Sequence, residues 1–569
     1  MYLSIGVTGH RDLLEAETPG LESQVRAFFQ SLAKRFPRLE LQLLCPMAEG
    51  GDQLAARIAL ELGIGLVAVL PMARDEYEQD FRSPASLQEF RDLLASARQV
   101  ICLPGAPGSE TVDFGGSVAS RDRQYAQAGL FISDHCQILL AIWDGKTHEA
   151  VGGTAQVVRY HLTAVIEGFE AQQSSAHLLA DSENDLAYHI ACSRDRSDGA
   201  PQPGLRPMQS YWLTSQSGRT PVGQMPGEYA LMLDRLQQFE ADRSRHAASQ
   251  HLGRTLLTGI SPGLEVPESA RFTERLFLVA DCLAIHFQKR VNRSLYAIHA
   301  LALLMGLVFI LYTEYNLAKY VLWIFLALFF VGMGLHFASR RREWHRKYLD
   351  YRALAEALRV QFYWNLAGVV ETRSVAFAYE NFLQKQDVEL GWIRHVMRAA
   401  STQRARGIDP DPRWVPWVID HWVGDAGGNH GQLAYYADKE LHNSVSYRRT
   451  EFLGAACLWA GIGVAIILAT AIDYLDTAQQ NFLLVLMGIL PLTAGMRDAI
   501  SHKRAEKELI KQYRFMARIF ANARRILGSA GTVPFQRRVL KALGEAALEE
   551  GAEWILMHRS RPLEHKGLG

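Results

Sequence analysis

Residues 296–313 read YAIHALALLMGLVFILYT and residues 320–338 read YVLWIFLALFFVGMGLHFA, two uncharged apolar runs separated by the polar break Glu314 to Lys319. Each run approaches the roughly 20 residues that a helix needs to cross a bilayer. Lys289, Arg290 and Arg293 precede the pair, Arg340, Arg341 and Arg342 follow it, and the tip holds one acid and one base. Lys and Arg concentrate on the cytoplasmic side, so the runs predict a membrane hairpin with both ends facing inward. The alternative is a buried soluble hairpin, which core helices of about 10–14 residues mimic; length and basic flanks together favour the membrane.

The pattern recurs at Phe452 to Ile472 and Phe482 to Gly495, with Arg448 and Arg449 before and Arg497, Lys503 and Arg504 after. Asp473 and Asp476 mark the tip, and Pro491 in the last run can kink or thin a span. Beyond the hairpins, Tyr351-Arg352-Ala353-Leu354-Ala355 is echoed by Tyr513-Arg514-Phe515-Met516-Ala517. Echo and hairpins together read as two copies of one unit: basic flank, two spans, basic flank, amphipathic helix. Small residues in the spans (Gly306, Gly332, Gly334, Ala456, Ala460 and Gly461) would allow close helix packing within an oligomer.

The remaining chain has an ordinary soluble composition. Among 569 residues, 60 Lys and Arg balance 60 Asp and Glu, so the total carries no electrostatic footprint for nucleic acid. Met1-Tyr2 leads directly into an apolar run without a basic n-region or cleavage site, which argues against a signal peptide. The six cysteines show no metal spacing and sit mostly in apolar runs, as expected of buried thiols in a reducing compartment.

Strand-like runs at Tyr2 to Val7, Leu39 to Cys45, Ile64 to Leu70, Val100 to Leu103 and Ile138 to Trp143 alternate with helical patterns. The helices are expected after Arg11 (Leu21, Val25, Phe28, Phe29, Leu32 and Phe36 on one face), after Asp52, and at Ser83 to Ala97, Ser117 to His135 and Ala155 to Glu167. That alternation predicts a parallel sheet with helices on both faces, and Ala187 to Ala191 is a further candidate strand. Ser193 to Gly227, rich in Gly, Pro, Ser and Arg, reads as a boundary loop. Helical patterns follow at Glu228 to Asp242, Arg271 to Gln288, Arg340 to Gly368, Val375 to Arg398 and Gln432 to Tyr447, with a break around Asp409 to Pro412. Trp414, Trp417 and Trp422 read as a core cluster rather than an interfacial belt, because they are remote from either hairpin.

Three glycine-containing turns each follow a strand and open a helix: Gly6 to Arg11 (with Thr8, Gly9 and His10), Glu49-Gly50-Gly51-Asp52, and Gly152-Gly153-Thr154. In a doubly wound sheet such turns meet at the carboxyl ends of the strands, where ligands bind. Glycine lets backbone N–H groups approach a phosphate, Thr154 adds a hydroxyl, and Arg11 adds a fixed, two-pronged charge. Alternatively the glycines only permit tight turns and Asp52 only caps its helix. His10 reads as readily as a cap or a packed side chain as it does as a ligand contact, and Asp144 reads equally as a ribose contact or as a stabiliser of its own loop. No GxGxxG is present, and Gly145-Lys146-Thr147 lacks the leading glycine of a Walker loop, since Leu140 stands there.

Gly6-Val-Thr-Gly-His10-Arg11, Ala48-Glu49-Gly50-Gly51-Asp52, Trp143-Asp144-Gly145 and Gly152-Gly153-Thr154 together resemble the SLOG superfamily over roughly the first 215 residues. The resemblance implies a Rossmann-like domain that binds a nucleotide or nucleotide-derived signal, with no other cofactor. The membrane part, with Tyr348 to Trp364 after its first hairpin, resembles SLATT, a two-span effector unit associated with SLOG sensors in prokaryotic conflict with phage. Joined, they imply a nucleotide-gated membrane effector that forms pores. The LOG enzymes of the superfamily carry PGGxGTxxE with a catalytic glutamate. Val157 occupies that position here, which favours binding over N-glycosidic hydrolysis.

The expected organisation is an α/β doubly wound SLOG-like domain (1–215), a helical linker (216–295), a first transmembrane hairpin with its cytosolic helix (296–370), a cytosolic helical insert (371–447), and a second hairpin with its helix (448–569). An all-α membrane region of four transmembrane helices, inner-membrane location, cytoplasmic termini and a homo-oligomer complete the expectation. A membrane-anchored nucleotide hydrolase or phosphoribohydrolase, and a passive scaffold recruiting a partner, are the rival functions. Single cysteines at Asn316 and Thr477, in a background without native cysteines, should react with an impermeant thiol reagent added outside intact cells, and one at Ser401 should not. Labelling of Ser401 alone inverts the topology.

Overall fold

A computed structural model describes residues 1–105, 118–147, 151–165, 185–246, 255–260, 263–315, 319–369, 388–402, 411–424, 430–529 and 531–560. The expected tip at Asn316, the first part of the helix at Val375 to Arg398, the break at Asp409-Pro410, and Ser117 and Glu167 lie outside these residues.

The chain divides into two units, the first comprising Met1–Ala247, Glu265–Arg275 and Gly368–Asp411. Its order is β1 (Tyr2–Gly9), α1 (Thr18–Arg35), β2 (Glu40–Cys45), α2 (Gly51–Glu61), β3 (Gly65–Leu70), α3 (Arg74–Tyr77), α4 (Pro84–Ser96) and β4 (Gln99–Cys102). Then follow α5 (Val118–His135), β5 (Ile138–Trp143), α6 (Thr154–Thr163), β6 (Ala187–Ala191), β7 (Ser210–Thr214), β8 (Gly218–Pro221) and α7 (Gly227–Arg245). The strands form one sheet in the order β4-β3-β2-β1-β5-β6-β7-β8, with β1 to β6 parallel and the last two antiparallel.

The apolar runs become strands buried on both faces, because helices cover the sheet. Gly6 and Gly9 show how closely. A Cβ on Gly6 would stand 2.6 Å from Ile132 of α5, and one on Gly9 would stand 2.7 Å from the Gly51 backbone of α2. Side chains alternate along a strand, so α5 and α2 cover opposite faces of β1. In α1 the expected stripe Leu21, Val25, Phe28, Phe29 and Leu32 is buried, and Phe28 stacks on Tyr188 of β6 at 4.3 Å. Ser83 caps α4 by accepting from the Ser86 N–H (3.0 Å), with Pro84 at the first helical position.

Two differences from the sequence reading concern the stretch after β6. The expected boundary loop contains the β7–β8 hairpin, which extends the sheet past residue 215 into the stretch read as helical linker. The insert between the hairpins supplies a helix to this unit, described below. No disulfide joins any of the six cysteines; Cys45, Cys136 and Cys192 are buried, whereas Cys102 is exposed.

The second unit comprises Ala248–Leu264, Leu276–Ala367 and Pro412–Gly569. The helices from α8 onward are α8 (Glu268–Glu314), α9 (Val321–Arg341), α10 (Trp344–Ala367), α11 (Gly391–Thr402), α12 (Trp414–Val418), α13 (Gly431–Ala471), α14 (Thr477–Lys503), α15 (Glu506–Ser529) and α16 (Val533–Ser560). Of these α11 belongs to the first unit, where Trp392 packs on Phe239 of α7 (5.6 Å) and the Thr402 carbonyl accepts from Gln99 (3.0 Å). Four helices, α8, α9, α13 and α14, are long and apolar enough to cross a membrane. Their outward side chains include Trp323, Phe330, Phe337, Phe452 and Trp459, all exposed, as lipid contact requires.

The lead-in helices of the sequence reading are continuous with the spans in α8 and α13. Asp476 and Gln479 form a capping box at the start of α14. Gly306 and Gly461 serve packing within the chain: a Cβ on Gly306 would stand 2.4 Å from Leu492, and one on Gly461 would stand 2.9 Å from Pro491. Gly334 meets nothing within 4 Å, and Ala456 and Ala460 are exposed. The tryptophan cluster is a core. Trp414, Trp417 and Trp422 are buried, and Trp422 stacks on Tyr363 at 5.3 Å.

The two hairpins also end alike. Glu343 and Ala505 are both left-handed (φ 50° each), and each separates a span helix, α9 or α14, from the helix that follows it. The N–H of Glu343 donates to Arg340 O and that of Ala505 to His502 O, both at 3.1 Å. The interval from Glu343 to Tyr351 equals that from Ala505 to Tyr513, so turn and echo repeat in register. A left-handed residue other than glycine is strained. Glu343→Val or Ala505→Val should therefore cost roughly 1–3 kcal/mol of stability, while the glycine variants should retain it. Thermal unfolding in detergent measures the difference.

Candidate functional site

In the strand order β4-β3-β2-β1-β5-β6, chain direction across the sheet reverses between β1 and β5. Ligands of open α/β sheets bind at such a switch point, outside the carboxyl ends of the strands. Gly9, the last residue of β1, is paired with Ile142 of β5, and the His10 N–H donates to Ile142 O (3.1 Å). A cavity of about 400 Å³ lies here. Among the residues singled out from the sequence, Thr8, Gly9, His10, Arg11, Asp52, Gly152, Gly153 and Thr154 line it.

The other six stand behind the wall. Gly6 is packed under α5, as described. Gly50 (φ +81°) and Gly51 bring the α2 start onto the β1 loop: a Cβ on Gly50 would stand 2.4 Å from His10 O, and the Gly51 N–H donates to that oxygen (3.0 Å). The first donors of α2 are thus spent inside the chain, and this turn offers the cavity a side chain, Asp52. Glu49 accepts from the backbone N–H of Arg82 (2.7 Å). Asp144 is fully buried, with Oδ1 3.1 Å from His10 Nε2 and accepting from the Lys146 N–H (3.0 Å). Burial would push this carboxyl up, but His10 and the Lys146 N–H hold it below the usual range. Of the two readings of Asp144, the geometry matches support of its loop and of His10. Gly145 (φ +81°) sits against Leu205 and Arg219.

The third turn does reach the cavity. Gly152 (φ +75°) lies so close to α5 that a Cβ would stand 2.7 Å from Asp122 O, which only glycine permits. Its N–H is taken by Gln156 Oε1 (2.7 Å). Gly153 and Thr154 open α6 onto the cavity, where the first N–H groups of a helix lack intrahelical partners. Val157, which stands where the LOG motif has glutamate, also lines the cavity, and its Cγ2 would lie 2.4 Å from a Cβ on Gly129.

Several wall residues were not singled out in the sequence: Asp12, Tyr77, Arg82, Tyr125, Arg194 and Arg196. Arg194 forks onto Asp12 (2.9 and 3.0 Å) and Arg196 pairs with Asp198 (2.8 Å), so their charges are largely matched. The Arg11 guanidinium instead lies over the Tyr125 ring at 4.8 Å, and among the described residues it forms no ion pair. Tyr125 is itself held by Asp80. Only the local part of the signal for the arginines is in the sequence. Ser193-Arg194-Asp195-Arg196 follows a strand beside β5, and adjacency of β5 and β6 puts that loop at the same sheet edge.

Asp52 is buried, and its Oδ1 has no hydrogen-bond partner. Burial raises its carboxyl to about 8, against the pull of Arg11 and of the Ala48 and Gly9 N–H groups. The cavity therefore presents an unmatched guanidinium beside a protonated acid near neutral pH, an arrangement suited to an anion.

No family model and no curated protein matches the chain. Fold and site define its class: a Rossmann-like sheet with a cationic cavity at its switch point, in one chain with four span-length helices.

Asp52 sets a pH dependence. A carboxyl raised above its unfolded value of about 3.9 binds its proton more tightly when folded. Its contribution to stability is complete below about pH 4 and is lost as pH rises toward 8. Asp52→Asn, neutral throughout, should flatten the decline across that window, whose slope reaches at most about 1.4 kcal/mol per pH unit. Denaturant unfolding at several pH values reads it; equal slopes in both proteins would contradict the assignment.

Proposed function

We propose that this chain is a nucleotide-sensing membrane effector. A nucleotide or nucleotide-derived signal binds the switch-point cavity, and binding alters membrane permeability through the span-length helices, in the setting of prokaryotic defence against phage. The unmatched Arg11 guanidinium within a 400 Å³ cavity is the observation that carries the ligand class. Phosphate is the common anion that rewards such a charge beside a helix N-terminus. The resemblance of the turns to SLOG, and of the hairpins to SLATT, supports the pairing of sensor with effector. The covalent route is α8, whose first turns belong to the sheet-bearing unit and whose remainder carries the first span. Coupling requires that the ligand prefer one of two conformations, since tight binding alone shifts no equilibrium.

One observation favours a second reading. Asp52, a buried carboxyl raised to about 8 and lining the cavity, has the attributes of a general acid, which suits a membrane-anchored nucleotide hydrolase. Against it, Val157 fills the position of the LOG glutamate. One experiment separates the two. Full-length protein in liposomes should release a small dye only when the cognate nucleotide, drawn from a panel of mono- and dinucleotides, is present. Arg11→Ala should weaken that response at least about tenfold, because a charge-assisted hydrogen bond contributes about 1.5–3 kcal/mol. Nucleotide turnover without release, abolished in Asp52→Asn, would establish the hydrolase instead. Binding with neither outcome leaves the spans as anchors.

A further inference from the structure

The second unit holds a cavity of its own, about 320 Å³, among five helices, α8, α10, α13, α15 and α16, with Lys503 at the end of α14. Its walls divide chemically. Tyr348, Tyr435, Tyr436, Tyr513 and Trp554 supply rings, with Trp554 edge-on to Tyr348 at 5.8 Å. Lys439, Lys503, Arg504 and Arg352 supply cations, and Glu356 and Glu550 supply acids.

The cations of the wall outnumber its acids, four to two. Glu356 is engaged by Arg352 and by Arg359, which stands outside the cavity, and Arg352 also reaches Asp281 (3.5 Å). That group is internally balanced. Glu550 is raised to about 8 by burial and then by the charge of Glu356, so near neutral pH it is a hydroxyl donor rather than an anion. Arg504 is within 3.3 Å of Glu506 and donates to Tyr296 OH (2.9 Å), while Lys439 lies 5.9 Å from the Tyr435 ring centre. A ring-lined space of this size, with four cations and two acids in its wall, falls at the lower end of small-ligand sites.

We propose that this cavity is a second ligand site, distinct from the switch-point cavity, which takes a phosphate group between Lys439, Lys503 and Arg504 with the adjoining moiety against the tyrosines. Lysine binds phosphate as a point charge and arginine as a fork, and tyrosine rings accept a planar or polyhydroxylated neighbour. The phosphate has two possible sources. A soluble nucleotide fits the volume. An anionic lipid headgroup fits the location, because Val291, His345 and Lys503 also wall an adjoining cavity of about 260 Å³ that continues along the spans past His299 and His336. The site sits where the two copies of the repeated unit meet, between the helix that follows the first hairpin and the helix that follows the second. Occupancy would therefore bias both hairpins at once.

The test uses full-length protein in phosphatidylcholine nanodiscs carrying Arg11→Ala, so that the first cavity is weakened. In the soluble arm AMP, ATP and inorganic phosphate are titrated; in the lipid arm phosphatidylglycerol replaces part of the phosphatidylcholine, and thermal stabilisation is read. Binding in at least one arm, weakened about tenfold or more by Lys439→Gln combined with Lys503→Gln and restored by Lys439→Arg with Lys503→Arg, is the expected result. The arm that responds names the source. Should the double variant fail to fold, Lys439→Glu alone carries the test. No binding in either arm, or binding that ignores these lysines, overturns the proposal. A nucleotide response that is indifferent to Arg11→Ala, with an intact lysine-dependent response here, would overturn the sensor reading alone.

Discussion

The approach of two backbones, Gly9 at the end of β1 and Gly51 at the start of α2, is the constraint on which the first unit's geometry rests. Neither position has room for a Cβ, and the Gly51 N–H closes the contact by donating to His10 O. The strand end, the loop and the helix start are thereby fixed as one block. Arg11 leaves that block toward Tyr125, and Asp52 enters the cavity from the other side of it. The glycines of the second turn do not line the cavity; they set where Arg11 and Asp52 stand.

The parallel strands were legible because burial on both faces leaves near-continuous apolar runs, as in GLVAVL at β3 and ILLAIW at β5. The β7–β8 hairpin escaped for the opposite reason. It lies at a sheet edge, β8 reads GRTP with exposed ends, and a Gly- and Pro-rich setting is what a loop also shows. The site was legible in its turns, since glycine spacing after strands is a local signal. Tyr125, Arg194 and Arg196 depend on which strands are neighbours, a non-local fact. The conformation of Glu343 and Ala505 was not legible, because neither is the glycine that left-handed backbone favours, whereas the Tyr-Arg echo beyond them was.

In the second unit, a bilayer offers no solvent to unpaired backbone groups, so the four spans must be helical throughout. Pro491 removes one N–H from α14 and is met by Gly461, whose missing side chain makes room for the ring. Compaction of this bundle thus uses small residues between helices of one chain, and Gly334, Ala456 and Ala460 remain on its outer surface.

α11 completes the sheet-bearing unit although about fifty residues of span and hairpin, and a further helix, are synthesised before it. Until then Phe239 lacks its contact with Trp392, and Gln99 lacks the Thr402 carbonyl it donates to. Synthesis runs from the N-terminus, and domains generally fold as units in that order. Here the last helix of the unit that begins the chain emerges behind the first hairpin. Completion of the sheet-bearing unit therefore follows the ribosome's passage through the first hairpin, and a nascent chain stalled before α11 lacks that unit's last helix.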